Sequence, residues 1–422
     1  MYIERNITEY LKNTVKSSLV TLVTGSRQVG KSTLIRHSFP EYNYITFDNI
    51  EALELARNDV KGFFKKYKYP LIIDEFQYAP NILSEIKLIV DEIKYENLNN
   101  KNTKVSKKNI TSKNKSYGYF ILTGSQRFES MKNIKESLAG RVSIINLYGL
   151  TNREIKKDKV KAFLPDKIDE NYKYKNSENI FEKIYKGSFP EIQGINDGMI
   201  DNFFENYINT YIERDVKNII NISDKIKFIK FVRNLAARTS QELNMTDICN
   251  GIDITIATGN KWLSLLEDTN LIYLLPPYFN NAINRIIKRP KIHFMDTGLA
   301  SYLAGYHSIE AIERSAYAGS IFETYVVSEI IKSHVNAGLN IKDKFYYIRN
   351  SNNVEIDLII NIDNTFYPIE IKKSHTPDKS CIKNFSLLHK SKVKTGNGIV
   401  ICDRNDCMPI DSENMMIPVE II

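Results

Sequence analysis

The sequence predicts an α/β chain: a parallel sheet with helices on its faces, then a helical stretch, then a second α/β domain near the C-terminus. Three observations predict it. A glycine-containing loop, Gly25-Ser26-Arg27-Gln28-Val29-Gly30-Lys31-Ser32-Thr33, joins the apolar run Ser18–Val23 to the helix-like Leu34-Ile35-Arg36-His37. An apolar strand, Leu71-Ile72-Ile73, ends in two acids, Asp74 and Glu75. Late in the chain, the strand-like runs Val354–Ile360 and Thr365–Lys373 carry Asp357 and the triplet Glu370-Ile371-Lys372.

The loop has the pattern G-x-x-x-x-G-K-S between a strand and a helix. Its glycines permit a tight turn, so that successive N–H groups and the positive end of the following helix converge on a polyphosphate such as that of ATP. All of Gly25 to Thr33 is therefore assigned to nucleotide binding, with Lys31 reaching the outer phosphates and Ser32 ligating Mg²⁺. Tyr42 to Asp48 reads as the next strand and Glu51 to Tyr67 as a helix. At the end of the strand that follows, Asp74 is placed to hold Mg²⁺ and Glu75 to polarise an attacking water.

Composition sets the outer bounds. A chain of 422 residues suggests about three domains. Its 42% hydrophobic and 26% charged residues are ordinary for a globular chain, and no apolar run approaches the roughly 20 residues that span a bilayer. No membrane partner is expected. The start, Met1 to Asn6, has no signal-like apolar stretch, which predicts a cytoplasmic location. Cys249, Cys381, Cys402 and Cys407 lack metal-site spacing and read as reduced thiols. The net charge of +8 fits a nucleic-acid partner. The excess is mostly Lys in a chain crowded with Asn and Ile, which biased base composition of the source would equally produce.

A helix-like Ile82 to Tyr95 leads into a polar Asn, Lys, Ser and Thr run, 97–116, too poor in apolar residues to offset its ordering entropy and read as a flexible insertion. Tyr119 to Gln126 is another strand ending in polar residues, followed by a helix through Gly140-Arg141 and a strand from Val142 to Tyr148. Arg141 lies where ring-forming ATPases often carry an arginine finger that stabilises charge on the transferred phosphoryl group. The other reading is a surface ion pair. Acting on a neighbour, the finger would require a homo-oligomer.

These residues, with Leu122-Thr123-Gly124-Ser125 and Ser137-Leu138-Ala139-Gly140-Arg141, resemble prokaryotic AAA+ ATPases that carry a winged helix and a restriction-endonuclease-like domain after the ATPase core. The resemblance covers nearly the whole chain. It implies a P-loop NTPase core of the AAA+/ASCE type with sheet order 5-1-4-3-2, and Ser125 or Gln126 in the sensor role.

Beyond the core, Phe203 to Val216 has the three-and-four apolar spacing of an amphipathic helix. Short helices follow at Phe228–Ala237, Asn244–Cys249 and Thr255–Asp268, then strand-like Leu271–Leu275 and Lys291–Met295. That is a winged-helix outline. Thr255, Thr258 and Lys261 project from the expected recognition helix, and Arg285, Lys288 and Arg289 lie in the expected wing, which makes duplex DNA the natural ligand. Winged helices also serve as protein-docking modules.

In the last domain, a helix starting near Gly319 carries Glu323. Alternate strand residues share a face, so Glu370 and Lys372 point together and Asp357 on the adjoining strand can meet them. Glu323, Asp357 and Glu370 are assigned to a divalent cation, Mg²⁺ or Mn²⁺, and Lys372 to orienting water. This resembles the PD-(D/E)xK nucleases, with Ile356 standing where the motif has proline. The expected division is 1–178 for the ATPase core, 179–224 for a helical connector, 225–300 for the winged helix and 301–422 for the nuclease-like domain. The expected function is ATP hydrolysis coupled to DNA binding and metal-dependent cleavage. The alternative is a nucleotide-gated switch that binds a protein partner and cuts nothing.

Overall fold

The computed structural model describes residues 2–100, 118–124, 138–158, 162–169, 179–211, 216, 224–278, 289–350, 352, 354–390 and 393–422. The chain forms two compact units, Glu4–Leu147 and Tyr148–Ile422 with the first three residues.

The N-terminal unit runs α1 (Thr8–Ser17), β1 (Val20–Thr24), α2 (Lys31–Ser38), β2 (Asn43–Thr46), α3 (Ile50–Asn58), α4 (Val60–Lys66), β3 (Leu71–Asp74), α5 (Ile82–Asn100), β4 (Phe120–Gly124) and β5 (Val142–Asn146). Its strands pair in the order β2-β3-β4-β1-β5, all parallel, which is the expected 5-1-4-3-2. Every residue of β1, β3 and β4 is buried, as a parallel sheet covered on both faces requires. Leu22, Ile73, Leu122, Phe63 and Phe120 belong to one core cluster.

Two local readings change. The segment from Glu51 to Tyr67 is two helices, because Asp59 leaves helical geometry at φ −141° and its carboxylate accepts from the Gly62 N–H, capping α4. Backbone bonding also carries α5 on to Asn100, so the polar run begins within a helix; residues 101–116 lie outside those described.

The C-terminal unit opens with α6 (Asn152–Lys156), capped by a reciprocal Thr151–Glu154 box. Next come α7 (Ile180–Lys186), α8 (Ile200–Tyr211), α9 (Lys225–Ala237), α10 (Met245–Ile252), α11 (Ile256–Asp268), β6 (Ile272–Leu275) and β7 (Lys291–Phe294). Gly187 ends α7 with φ +71°, and a Cβ there would lie 2.4 Å from the Asp296 carboxylate. Strands β6 and β7 form an antiparallel pair with Ile272 opposite Phe294. The three helices before them bury Trp262 edge-on against Phe228 and Phe231.

The remainder is α12 (Thr297–Leu303), α13 (Ile309–Glu313), α14 (Ala318–Asn336), β8 (Phe345–Arg349), β9 (Glu355–Ile362), β10 (Thr365–Lys372), α15 (Ser386–Lys390), β11 (Lys394–Thr395), β12 (Gly398–Cys402), β13 (Met408–Pro409) and β14 (Asn414–Pro418). Its main sheet has the order β13-β14-β12-β10-β9-β8. The pairs β8–β9 and β9–β10 are antiparallel, while β10–β12 and β12–β14 are parallel. Strands β8 and β14 were not anticipated from the sequence. Helix α14 is buried along almost its whole length, while Glu323 near its start remains partly exposed. All four cysteines are free thiols. Among the described residues, no helix is long and apolar enough to cross a membrane.

Candidate functional site

Two groups of side chains carry chemistry, one in each unit. In the first, β1 ends at Thr24 and the chain turns through Gly25 to enter α2 at Lys31. Gly30 has φ +90°, a conformation that admits glycine without strain, and a Cβ at Gly25 would stand 2.1 Å from the Leu147 carbonyl. The chain needs glycine at both positions. The buried Lys31 ammonium donates to the carbonyl oxygens of Gly25, at 2.9 Å, and Ser26, at 2.7 Å. Arg5 fastens the loop from outside through the Val29 carbonyl at 2.9 Å. Ser32 and Thr33 border a cavity of about 540 Å³ that Arg36, Tyr42 and Tyr44 also line.

Asp74 closes β3. Its carboxylate accepts from the Tyr44 hydroxyl at 2.7 Å and from the Glu75 N–H at 3.1 Å. The Arg36 guanidinium lies 4.7 Å from the Tyr44 ring centre. Glu75 sits in the left-handed region at φ +55°, a strained backbone of the kind that persists at functional positions. Burial raises the Glu75 carboxyl above its ordinary range, partly opposed by Lys31. Gln77 donates its amide to Glu75 and fixes its orientation. Ser32 offers a hydroxyl and Asp74 a carboxylate, hard oxygens of the kind Mg²⁺ prefers.

Tyr44 and Gln77 were missed at the sequence level. Tyr44 lies opposite Ile72 on the neighbouring strand, and only that pairing reveals its reach to Asp74. Arg141 is engaged by both of its edge nitrogens with Asp91 of α5, at 2.6 and 2.9 Å. Ser125 and Gln126 lie outside the described residues.

The second group lines a cavity of about 630 Å³ in the C-terminal unit, bordered by Glu323, Glu355, Asp357, Glu370, Lys372 and Lys291 among others. Oxygens of Glu323, Glu355 and Asp357 lie within 4.8 Å of one another, a spacing suited to one cation. This closest trio contains Glu355 where the sequence reading had Glu370. Period-two alternation in β9 puts Glu355 on the face of Asp357, a signal that was available and went unused.

Glu370 borders the same cavity. One of its oxygens accepts from the Lys372 ammonium at 2.5 Å, and its other oxygen, Oε2, is buried with no hydrogen-bond partner. Lys372 also stands 3.9 Å from Asp357, whose carboxylate accepts from the Ile371 N–H at 2.8 Å. Burial, joined by the Asp357 charge, pushes the Glu370 carboxyl up to about 8. Burial likewise pushes Glu323 up to about 7, with Lys291 opposing. The cavity thus gathers several carboxylates with one buried oxygen that has no hydrogen-bond partner, a donor set of the kind a divalent cation takes.

The candidate DNA contacts are distributed as follows. Thr255 caps α11, its hydroxyl accepting from the Thr258 N–H at 3.1 Å and bonding the Thr258 hydroxyl at 2.9 Å. Lys261 and Arg289 are exposed. Arg285 and Lys288 lie outside the described residues.

The segment that holds the phosphate loop, Asp74 and Glu75 matches the AAA domain family over residues 17–105 and 88–156. Residues 17–156 therefore carry an ATPase module of the P-loop, AAA-like kind. Residues 177–310 match a domain of unknown function, DUF8612, and residues 318–422 another, DUF4143. Uncharacterized protein Rv2008c of Mycobacterium tuberculosis is 26% identical over 385 residues, covering 90% of this chain and 76% of that protein. Mb2031c of Mycobacterium bovis, also uncharacterized, matches to the same extent. Among solved structures, the Walker-type ATPase PABY2304 of Pyrococcus abyssi is 14% identical, with coverage of 72% of this chain and 96% of its own and a TM-score of 0.41. The STAND protein PH0952 of Pyrococcus horikoshii, which has a tetratricopeptide repeat sensor, is 13% identical, with 80% and 48% covered and a TM-score of 0.24.

Proposed function

We propose that the chain is a Mg²⁺-dependent ATPase whose nucleotide cycle governs a DNA-binding segment and a metal-dependent nuclease centre. In the ATPase module, Lys31 exchanges its loop carbonyls for the outer phosphates, and Glu75, held by Gln77, takes up a proton from the attacking water. Asp74 and Ser32 would hold Mg²⁺, which supplies neutralising charge to the phosphates. Arg141 is the candidate to stabilise the transferred group, a role that requires its Asp91 pair to open.

The DNA-binding part of the reading is supported by the three helices and antiparallel strand pair over 225–294, with Lys261 and Arg289 on the surface. The nuclease part is carried by one observation: the buried, unpartnered Oε2 of Glu370 in a cavity shared with Asp357, Glu323, Glu355 and Lys372. Asp357 and Glu370 would hold Mg²⁺ or Mn²⁺, which supplies Lewis-acid activation of phosphate and water when bound. Lys372, between Asp357 and Glu370, donates to and orients water entering the cavity.

The test is incubation of the chain with duplex, single-stranded and branched DNA and with RNA, in Mg²⁺ or Mn²⁺, with and without ATP. Cleavage by the native chain and its loss in Asp357→Ala are expected. Every nucleic acid left intact by the native chain sinks the nuclease reading, and leaves the ATPase as a switch for a protein partner.

A further inference from the structure

Lys291 belongs to no part of the E-x-K motif, yet it reaches the acid pocket. It heads β7, outside the helix and the strands that carry the acids, and its side chain is only 3% exposed. Its ammonium pairs with Glu323 at 2.9 Å and with Glu355. The Tyr347 ring centre lies 5.5 Å from it. Burial alone would lower the Lys291 ammonium, but Glu323, Asp357 and Glu355 outweigh it and hold the group above the usual lysine range. Two carboxylates in direct contact hold it as an ion pair.

Two of the three acids whose oxygens are close enough to share an ion are therefore already occupied by a positive charge. A divalent ion binds carboxylate oxygens at roughly 2.0–2.6 Å. Seated on Glu323 and Glu355 it would press against the ammonium bonded to those same groups, so the two cations exclude each other. Glu370 and Asp357 are different. Lys372, their cationic neighbour, is 40% exposed on a long flexible stem, and Glu370 Oε2 has no partner.

We propose that Lys291 is a built-in cation filling the Glu323–Glu355 side of the acid pocket. The native chain then takes one divalent ion, at Asp357 and Glu370, and loss of Lys291 opens a second place on Glu323, Glu355 and Asp357. This rests on the metal-centre reading above.

The experiment counts Mn²⁺ ions bound to the nucleotide-free full chain, using the electron paramagnetic resonance signal of free Mn²⁺. Asp357→Asn serves as the baseline for ions held elsewhere. One ion above that baseline is expected for the native chain and for Lys291→Arg, and two for Lys291→Met. Lys291→Met/Glu355→Gln should return to one, because it lacks a ligand of the second place and leaves one carboxylate, Glu323, without Lys291 rather than two. Where Lys291→Met does not fold, Lys291→Gln keeps a donor facing Glu323 and carries the same expectation of two. An unchanged count and affinity on removing Lys291, with one ion still lost in Asp357→Asn, overturns the role of Lys291 and leaves the metal centre standing. No ion above baseline in any variant overturns both.

Discussion

In the N-terminal unit a single lysine, Lys31, faces the carbonyls of its own loop, whereas in the C-terminal unit Lys291 and Lys372 are set among carboxylates. The first site is organised to receive an anion and is built by contiguous backbone, nine residues from Gly25 to Thr33. The second, which the reading proposed above assigns to a cation, is built from side chains on α14, β7, β9 and β10. The difference follows from what each ligand demands. A polyphosphate is satisfied by a row of N–H groups, which one turn supplies. A divalent ion needs several charged oxygens at one point, and neighbouring residues of a strand alone cannot converge enough of them.

The comparison breaks first at Lys31. Lys31→Ala removes the buried ammonium of the loop, and ATP affinity should fall by about 100-fold, the worth of a charge-assisted bond to phosphate. Anisotropy of a fluorescent ATP analogue measures it; retained affinity would mean that the loop does not bind nucleotide. Glu75→Gln should separate binding from chemistry. It should keep nucleotide affinity while slowing single-turnover hydrolysis by roughly 10²–10⁴-fold, the usual contribution of a general base. Equal turnover in native and variant chains would move the base elsewhere. Neither change should alter Mn²⁺ binding at the acid pocket, since its ligands all come from the other unit.

The two sites also differ in how much of them could be read from the sequence. The phosphate loop and the Asp74–Glu75 strand end were legible because local chemistry dictates them, and the parallel strand order followed from the resemblance they carry. Asp357, Glu370 and Lys372 were legible as a motif. Glu355 was missed although strand alternation placed it beside Asp357. Lys291 was not legible: nothing within β7 announces that it reaches acids on α14 and β9, and only tertiary packing brings them together. Strand β8 was missed as well. Its Phe-Tyr-Tyr-Ile run is short and bounded by Lys and Arg, and it is fixed as a strand by pairing with β9. The split between α3 and α4 turned on a single aspartate choosing a cap over helix continuation.

The smallest expected effect sharpens the contrast through pH. Glu323 and Glu370 have folded-state values raised from 4.5 to about 7 and about 8. A carboxyl raised in the folded state contributes stability below its unfolded value that is lost as pH climbs through the folded one. The metal-free chain should therefore weaken as pH climbs from 6.5 to about 8, the end of a loss that begins near the unfolded value of 4.5. His293 and His334, buried and lowered, act in the opposite sense but below that window, because they favour the fold as pH rises toward the ordinary value of 6.5. Saturating Mn²⁺ binds the ionised acids and should reverse the trend, giving a thermal unfolding midpoint that rises from pH 6.5 to about 8 relative to the metal-free chain. Glu370→Gln should flatten both curves. A midpoint that falls equally with and without Mn²⁺, in native and Glu370→Gln chains alike, would show that the loss arises outside the acid pocket and that the crowded carboxylates are not waiting for a cation.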